Sequence, residues 1–185
     1  MRKIVVFEWI TMDGIFDAGT MDQWFFPYDS AGRQAFITDC IMGSDAILLG
    51  RITYEMLAPY WSALKNNEMG IANKLNSVAK YVISSTMKKA AWNNTTIIPD
   101  NVTAAITRLK QQPGGQILVE GSAVLAKSLM EAGLVDEYRF LVHPVIMGSG
   151  KRFFLDGMQA KGLQLAKTEI LDAGVIALTY QTVKK

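Results

Sequence analysis

The stretch Gln116–Phe154, QILVEGSAVLAKSLMEAGLVDEYRFLVHPVIMGSGKRFF, carries the pattern that decides the fold. Its apolar run Ile117–Val119 has the length of a buried strand, and a tight turn follows it. Residues 123–132 then repeat apolar side chains with the period of a helix, and Gly133 stands where a helix C-cap would fall. A second apolar strand, predicted over 138–146, completes a strand–turn–helix–strand unit.

The rest of the chain alternates predicted strands and helices in the same way, as α/β proteins with parallel sheets do. Strands are predicted at 4–10, 46–49, 80–83 and 96–98, and helices at 30–42, 71–78 and 102–111, with a helix start at Gly50 and a polar connection at 61–70. Two last strand-like runs, 163–171 and 175–183, are joined by a short Gly-containing loop that indicates a hairpin. We therefore predict a single α/β domain over 1–185. It would be a three-layer αβα fold, with a mixed, mostly parallel sheet and an antiparallel C-terminal edge.

Composition and charge exclude several classes of function. With 50% hydrophobic and 19% charged residues, the chain has the balance of a folded domain. A net charge of +2 without runs of like charge argues against nucleic acid as the partner. No apolar segment approaches the roughly 18 residues that a membrane span needs, which argues against a membrane partner. Because no cationic, apolar signal segment opens the chain, we expect a cytoplasmic protein.

The chain has few residues suited to metal binding or nucleophilic catalysis. His143 is the single histidine and Cys40 the single cysteine. A metal site would need carboxylates, and no tight cluster of them appears, so we expect none. His143 lies in an apolar strand just before Pro144, a position typical of a packed structural histidine. Hydrolysis through this residue is therefore a poor hypothesis.

Three predicted strand ends carry polar or glycine residues: Gly50–Arg51, Ser84–Ser85 and Glu120–Gly121–Ser122. In open α/β sheets, ligands bind at the carboxyl ends of parallel strands, where helix N-termini collect. Free N–H groups, the Arg51 charge and several hydroxyls suit a pyrophosphate and an additional phosphate monoester. This predicts a dinucleotide with a 2′-phosphate, although the G-x-G-x-x-G fingerprint and the P-loop are both absent. Taken alone, the Gly50 junction also fits a plain helix start that Thr53 helps to cap.

Two further features point to a substrate. Glu120 is a carboxylate at the end of a buried strand, which is costly unless it has a partner or a function. It could accept a hydrogen bond from a substrate amide or relay a proton. The segment 12–28, predicted as a loop, is rich in aromatic residues, including Trp24 and Phe26. It predicts a cover over the core, a wall for a flat aromatic ligand, or both.

At these residues the sequence resembles a known family. Leu118–Gly121, the run 125–129, Leu134–Glu137 and Pro144–Gly150 together resemble the reductase domain of bacterial riboflavin biosynthesis, and more broadly the dihydrofolate-reductase-like superfamily. The resemblance covers nearly the whole chain. It implies an NADPH-dependent reductase of a pterin- or pyrimidine-like heterocycle, and a homodimer formed through 138–142 and the C-terminal hairpin. Because Ser122 stands where the family often has Gly, a non-catalytic ligand-binding protein on the same scaffold is the alternative.

The resemblance also implies roles for individual residues. Those that would hold the cofactor phosphates are Gly50, Arg51 and Thr53, and those near the 2′-phosphate are Ser84 and Ser85. The residues that would cover the pyrophosphate are Gly121, Ser122, Ala123 and Leu125. The substrate-facing, catalytic carboxylates would be Glu120 and Asp13, with Trp24 and Phe26 as further substrate contacts.

Overall fold

Eight strands form one mixed sheet in the computed structural model, which describes residues 1–183. The strands are β1 Lys3–Thr11, β2 Ser44–Gly50, β3 Ala79–Ile83, β4 Thr95–Ile98, β5 Gln116–Val119, β6 Glu137–His143, β7 Leu163–Ile170 and β8 Ile176–Thr182. Their order across the sheet is β4-β3-β2-β5-β1-β6-β8-β7. From β4 to β6 all neighbours are parallel, whereas β8 runs antiparallel to both β6 and β7.

Six helices connect the strands: α1 Met21–Trp24, α2 Ala31–Met42, α3 Arg51–Ala63, α4 Ala72–Ser77, α5 Val102–Gln111 and α6 Ala123–Glu131. Parallel neighbours need crossover connections, and the longer helices supply them. Ser30 begins α2 by accepting a hydrogen bond from the Arg33 N–H, as N-cap residues do. The three-layer, mostly parallel sheet predicted from the sequence is confirmed.

The sheet buries an apolar core on each face. One cluster packs α2, α3 and α4 against the sheet, and the other packs α5 and α6 against the opposite face. Side chains alternate between faces along β1, so Val5 and Phe7 join the first cluster while Ile4 and Val6 join the second. Because the parallel strands are covered on both sides, they are near-continuous apolar runs rather than alternating ones.

Three predicted boundaries differ from the structure. The strand predicted over 138–146 ends at His143, because Pro144 has no N–H for a ladder hydrogen bond. Helix α3 extends to Ala63, so part of the predicted polar connection is helical. The aromatic segment 12–28 was expected to be loop throughout but contains α1 and two short 3-10 turns.

The predicted interface residues 138–142 lie in β6, whose edges pair with β1 and β8. A free edge at this end of the sheet belongs to β7, which is exposed along almost its whole length. Within residues 1–183, the helices are all too short or too polar to cross a membrane.

Candidate functional site

The carboxyl ends of β2 and β5 meet at one glycine-lined junction. The Gly50 N–H donates to the Gly121 carbonyl oxygen at 3.0 Å, and the Gly121–Ser122 peptide is cis. A Cβ on Gly50 would lie 2.7 Å from Ser122 Oγ, and one on Gly121 would lie 2.5 Å from Thr53 Oγ1. Glycine is therefore required at both positions, because the start of α3 and the turn before α6 are in direct contact.

Two helix N-termini converge at this junction. Gly50 is the N-cap of α3, and among the residues described no side chain caps this end, so its first N–H groups remain available. At α6, Ser122 Oγ accepts a hydrogen bond from the Leu125 N–H at 3.4 Å. Ser122 thus caps α6, while Ala123 and Leu125 are buried and fix α6 in place. Exposed N–H groups at a helix start are a natural site for phosphate oxygens.

Arg51 lies beside the junction but is already paired. Its guanidinium donates to Glu55 Oε2 at 2.7 Å along the first turn of α3, and both side chains are largely exposed. An exposed pair of this kind is weak, because water and salt screen it. Arg51 can therefore exchange Glu55 for a phosphate without a large energetic cost.

The two predicted serines after β3 differ in their surroundings. Ser84 is buried, and its hydroxyl accepts from the Thr86 and Met87 N–H groups at 3.3 and 2.9 Å. It therefore shapes the loop. Ser85 is exposed, and β3 is the immediate neighbour of β2, so Ser85 lies at the same edge of the sheet as Gly50. Their role near a 2′-phosphate remains a prediction.

Glu120 directly follows β5, and its N–H still pairs with the Leu48 carbonyl oxygen at 3.4 Å. Its carboxylate oxygen Oε1 is shielded from solvent and has no hydrogen-bond partner within residues 1–183. Burial raises the pKa of this carboxyl from its ordinary value of 4.5 to about 7. Glu120 can therefore exist in both protonation states near neutral pH, as a proton donor or acceptor requires.

A second buried carboxylate, Glu8, lies on β1 and was not predicted from the sequence. Its Oε1 accepts the Gly121 N–H at 2.6 Å. Burial raises the pKa of Glu8 well above its ordinary range; the Gly121 N–H lowers it in part, and the charge of Glu120 raises it further. The Gly121 backbone is thus held at its N–H by the Glu8 side chain and at its carbonyl by the Gly50 N–H, which joins the turn after β5 to β1 and β2. Glu8 could have been recognised from the sequence as a carboxylate inside the apolar run of β1.

Asp13 has its carboxylate oxygens engaged in the turn after β1. It accepts the Thr11 hydroxyl at 2.6 Å and the N–H groups of Met147 and Gly148 at 3.2 and 2.8 Å. These bonds lower its pKa, the Thr11 hydroxyl most of all. Asp13 therefore joins the turn after β1 to the turn after β6. Its predicted contact with substrate remains a prediction.

The aromatic segment covers the carboxyl end of β1. Trp24 is buried, and its indole N–H donates to the Asp17 carbonyl oxygen at 3.3 Å, so it packs as part of the core. Phe26 is 62% exposed. Between them, Phe25 stacks on Trp9 with ring centroids 4.5 Å apart. Trp24, Phe25 and Trp9 therefore pack in the same cluster on one face of the sheet.

Arg33 stabilises this aromatic segment through hydrogen bonds. Its buried guanidinium donates to the Phe25 carbonyl oxygen and to Asp29 Oδ1, the latter at 2.8 Å, and lies 4.0 Å from the Phe25 ring centroid. It also faces His143 Nε2 at 3.5 Å. Burial lowers the pKa of His143 to about 4, while the Ile10 carbonyl raises it in part and Arg33 lowers it further. His143 is thus a neutral structural residue, as the sequence indicated.

An open cavity of about 530 Å³ lies at the other end of the sheet, lined by Met1, Lys110 and Asp136 among others. The Lys110–Asp136 ion pair there is already satisfied. Within residues 1–183, no three His, Cys, Asp or Glu side chains come together as a metal ligand set. Unused binding capacity at the carboxyl edge of the sheet includes the uncapped start of α3 and Glu120 Oε1.

The sheet order and the antiparallel edge define the class of proteins with the dihydrofolate-reductase-like fold. Within this class, the family model of the RibD C-terminal domain matches residues 2–177, and the chain belongs to that family.

Relatives and solved structures agree with this assignment. The chain is 31% identical over 185 residues to the uncharacterized protein YyaP of Bacillus subtilis (strain 168), a match that covers 97% of this chain and 94% of YyaP. A putative riboflavin biosynthesis protein from Shewanella sp. PV-4 has a TM-score of 0.80 at 17% identity, covering 98% of this chain and 99% of its own. Dihydrofolate reductase from Enterococcus faecalis complexed with NADP(H) has a TM-score of 0.66 at 14% identity, covering 98% and 97%. At these identities the solved structures establish the fold alone.

Proposed function

We propose that this protein is a reductase that binds NADPH at the Gly50–Gly121 junction and reduces a flat pterin- or pyrimidine-like heterocycle beside Glu120. The observation that carries the proposal is the unpaired, buried carboxylate oxygen of Glu120, next to two converging helix N-termini. The family and the class of fold, which includes a dihydrofolate reductase complexed with NADP(H), support a nicotinamide cofactor.

The junction fits a dinucleotide by its chemistry. Phosphate oxygens need donors that point outward, and the uncapped start of α3 offers them. The Gly50–Gly121 contact leaves bare backbone where a side chain would block a close approach. Arg51, released from Glu55, would add a fixed positive charge that suits the 2′-phosphate of NADPH.

Glu120 would serve the substrate side of the reaction. When bound, the nicotinamide supplies the hydride, so the protein has to orient the substrate and manage a proton. With a pKa of about 7, Glu120 can hold a proton for a ring nitrogen or accept a hydrogen bond from a ring N–H. The aromatic residues on this face exclude water, which strengthens any such hydrogen bond.

Calorimetric titration with NADPH and NADH tests the cofactor part of the proposal. We expect wild-type protein to bind NADPH more tightly, and Arg51→Ala to weaken NADPH about tenfold with little effect on NADH. Glu55→Gln is the matched variant: it frees Arg51 and should strengthen NADPH by about twofold. Equal losses for both nucleotides in Arg51→Ala would show that Arg51 does not distinguish them.

Turnover tests the catalytic part of the proposal. NADPH oxidation is followed with a panel of pterins and pyrimidines, first for wild type and then for Glu120→Gln. We expect consumption with at least one member and a loss of about a hundredfold in the variant. Cofactor binding without consumption across the panel would identify a ligand-binding protein instead.

A further inference from the structure

A buried carboxylate lies directly behind the turn that precedes α6. Glu8 is 4% exposed, and its Oε1 accepts the Gly121 N–H at 2.6 Å. It stands in β1 between Val6 and Ile10, which pack in the cluster beneath α5 and α6. An ionisable group is costly in such apolar surroundings. Because this partner is a backbone N–H rather than a cation, the cost of burial is only partly offset, which points to a function for Glu8.

Strand register places Glu8 level with the residue that joins the two helix starts. In the parallel pair of β1 and β5, Val6 lies opposite Val119, so Glu8 lies opposite Gly121. The Gly121 carbonyl oxygen accepts the Gly50 N–H at 3.0 Å, and Gly50 is the N-cap of α3. A displacement of Gly121 therefore affects the start of α3 as well as that of α6, and the hydrogen bond from Gly121 to Glu8 resists such a displacement.

The start of α6 also links Glu8 to any anion bound at the junction. A helix N-terminus carries a partial positive charge of about half a unit. The first turn of α6 is apolar, with the sequence AVLA, and Glu8 supplies a carboxylate behind it from inside the protein. A phosphate group would approach the same helix start from solvent. The two negative groups would therefore act on one positive end from opposite sides.

The charged groups around Glu8 favour its protonated form. The charge of Glu120, in the turn after β5, raises the pKa of Glu8, in addition to the larger rise from burial. On β6, the residue opposite Glu8 is Phe140. The first charged residue of α6 is Lys127, in its second turn, and on α3 the Arg51 guanidinium is largely exposed and paired within the helix. A bound phosphate would add further negative charge with the same effect as Glu120.

We propose that Glu8 is a positioning residue for the dinucleotide, which holds Gly121 between the starts of α3 and α6 from inside the sheet. A protonated carboxyl still accepts the Gly121 N–H through its carbonyl oxygen, but it no longer repels the phosphates. Binding of the nucleotide therefore draws a proton from solvent onto Glu8, and affinity and pH are linked. The inference rests on the proposed function, since it requires a dinucleotide at the Gly50–Gly121 junction.

Calorimetric titration with NADPH at pH 6, 7, 8 and 9 tests the inference with two substitutions. Glu8→Gln keeps an acceptor for Gly121 and cannot ionise, so we expect it to match wild type at pH 6. At pH 9 it should bind about tenfold more tightly, as expected from removal of one like charge roughly 10 Å from the phosphates at an effective dielectric constant of about 20. Glu8→Ala has no acceptor and should bind about tenfold more weakly than Glu8→Gln at every pH.

Proton uptake is measured directly by repeating the titrations at pH 8 in buffers with different ionisation enthalpies. Wild type should take up more protons per bound NADPH than Glu8→Gln. The cofactor 2′-phosphate and Glu120 are present in both proteins, so the difference reports Glu8. Glu131→Gln is the matched control, because Glu131 lies near the end of α6 beside Lys127 at 3.8 Å. It should follow wild type in affinity and in proton uptake.

A merely structural role for Glu8 predicts a different result. The ratio of wild-type to Glu8→Gln affinity would then be constant from pH 6 to 9 and proton uptake equal, and either observation overturns the inference. Equal affinities for Glu8→Gln and Glu8→Ala overturn the positioning role. If Glu8→Ala does not fold, the comparison of wild type with Glu8→Gln still decides. Absence of NADPH binding at every pH overturns the proposed function as well, whereas binding with a constant ratio overturns this inference alone.

Discussion

Replacing Glu120 by Gln should stabilise the protein above neutral pH. Burial raises the pKa of this carboxyl from 4.5 to about 7, so the folded protein holds the proton more tightly than the unfolded chain. The contribution of Glu120 to stability is therefore greatest below pH 4.5 and is lost as the pH rises through 7. At about 1.4 kcal/mol per pH unit, this difference corresponds to a loss of about 3 kcal/mol. Gln has no carboxyl proton to release, so the variant does not undergo this loss of stability.

Urea unfolding of wild type and Glu120→Gln at pH 5, 6, 7 and 8 measures the effect. The free energy of unfolding should fall with pH in both proteins, because Glu8 loses its proton in both, but that of wild type should fall further and lie below the variant by about 3 kcal/mol at pH 8. Removal of the Glu120 charge also lowers the pKa of Glu8, which acts in the same direction.

Glu131→Gln is the control, since Glu131 lies on the exposed face of α6 beside Lys127 at 3.8 Å. Its profile should follow wild type. Parallel profiles for Glu120→Gln and wild type would contradict this prediction, because they would mean that the carboxylate is solvated or paired. Stabilisation of the variant together with loss of turnover would show that the unpaired acid is retained for function.

Three further predictions follow from buried contacts and from the exposed edge. Arg33→Met should lower the free energy of unfolding by about 3 kcal/mol, because it leaves the Phe25 carbonyl and Asp29 without their cation, and urea unfolding measures it. Glu8→Ala should cost about 2 kcal/mol by leaving the Gly121 N–H unpaired, whereas Glu8→Gln keeps an acceptor and should cost well under half of that; equal losses would mean that this hydrogen bond is unimportant. We also propose a homodimer through β7, so Leu165→Lys should convert a dimer to a monomer in sedimentation equilibrium, and a monomeric wild type would contradict it.

The strands and helices could be predicted from the sequence because their signals are local. The helix at 102–111 is predicted by the spacing of its apolar residues, and the strand at 117–119 by three consecutive apolar residues. The end of β6 was misplaced because the apolar pattern continues past Pro144, which has no N–H for the ladder.

Site contacts over long sequence separations could not be predicted in this way. Glu8 was visible as a carboxylate in an apolar strand, but its partner Gly121 is 113 residues away. Arg51 was expected to be free for a phosphate, and an ordinary pairing with Glu55 one turn along α3 occupies it. Trp24 and Phe25 are both buried in the same core cluster, and only the structure shows that Phe25 is the one that stacks on Trp9.

The most direct test of the central claim is an amide chemical-shift titration of the wild-type protein with NADPH. We expect saturable shifts at the start of α3 and at 121–125, with little change around Lys110 and Asp136 at the opposite end of the sheet. No saturable shift up to millimolar NADPH, or shifts confined to the Lys110 end, would contradict it.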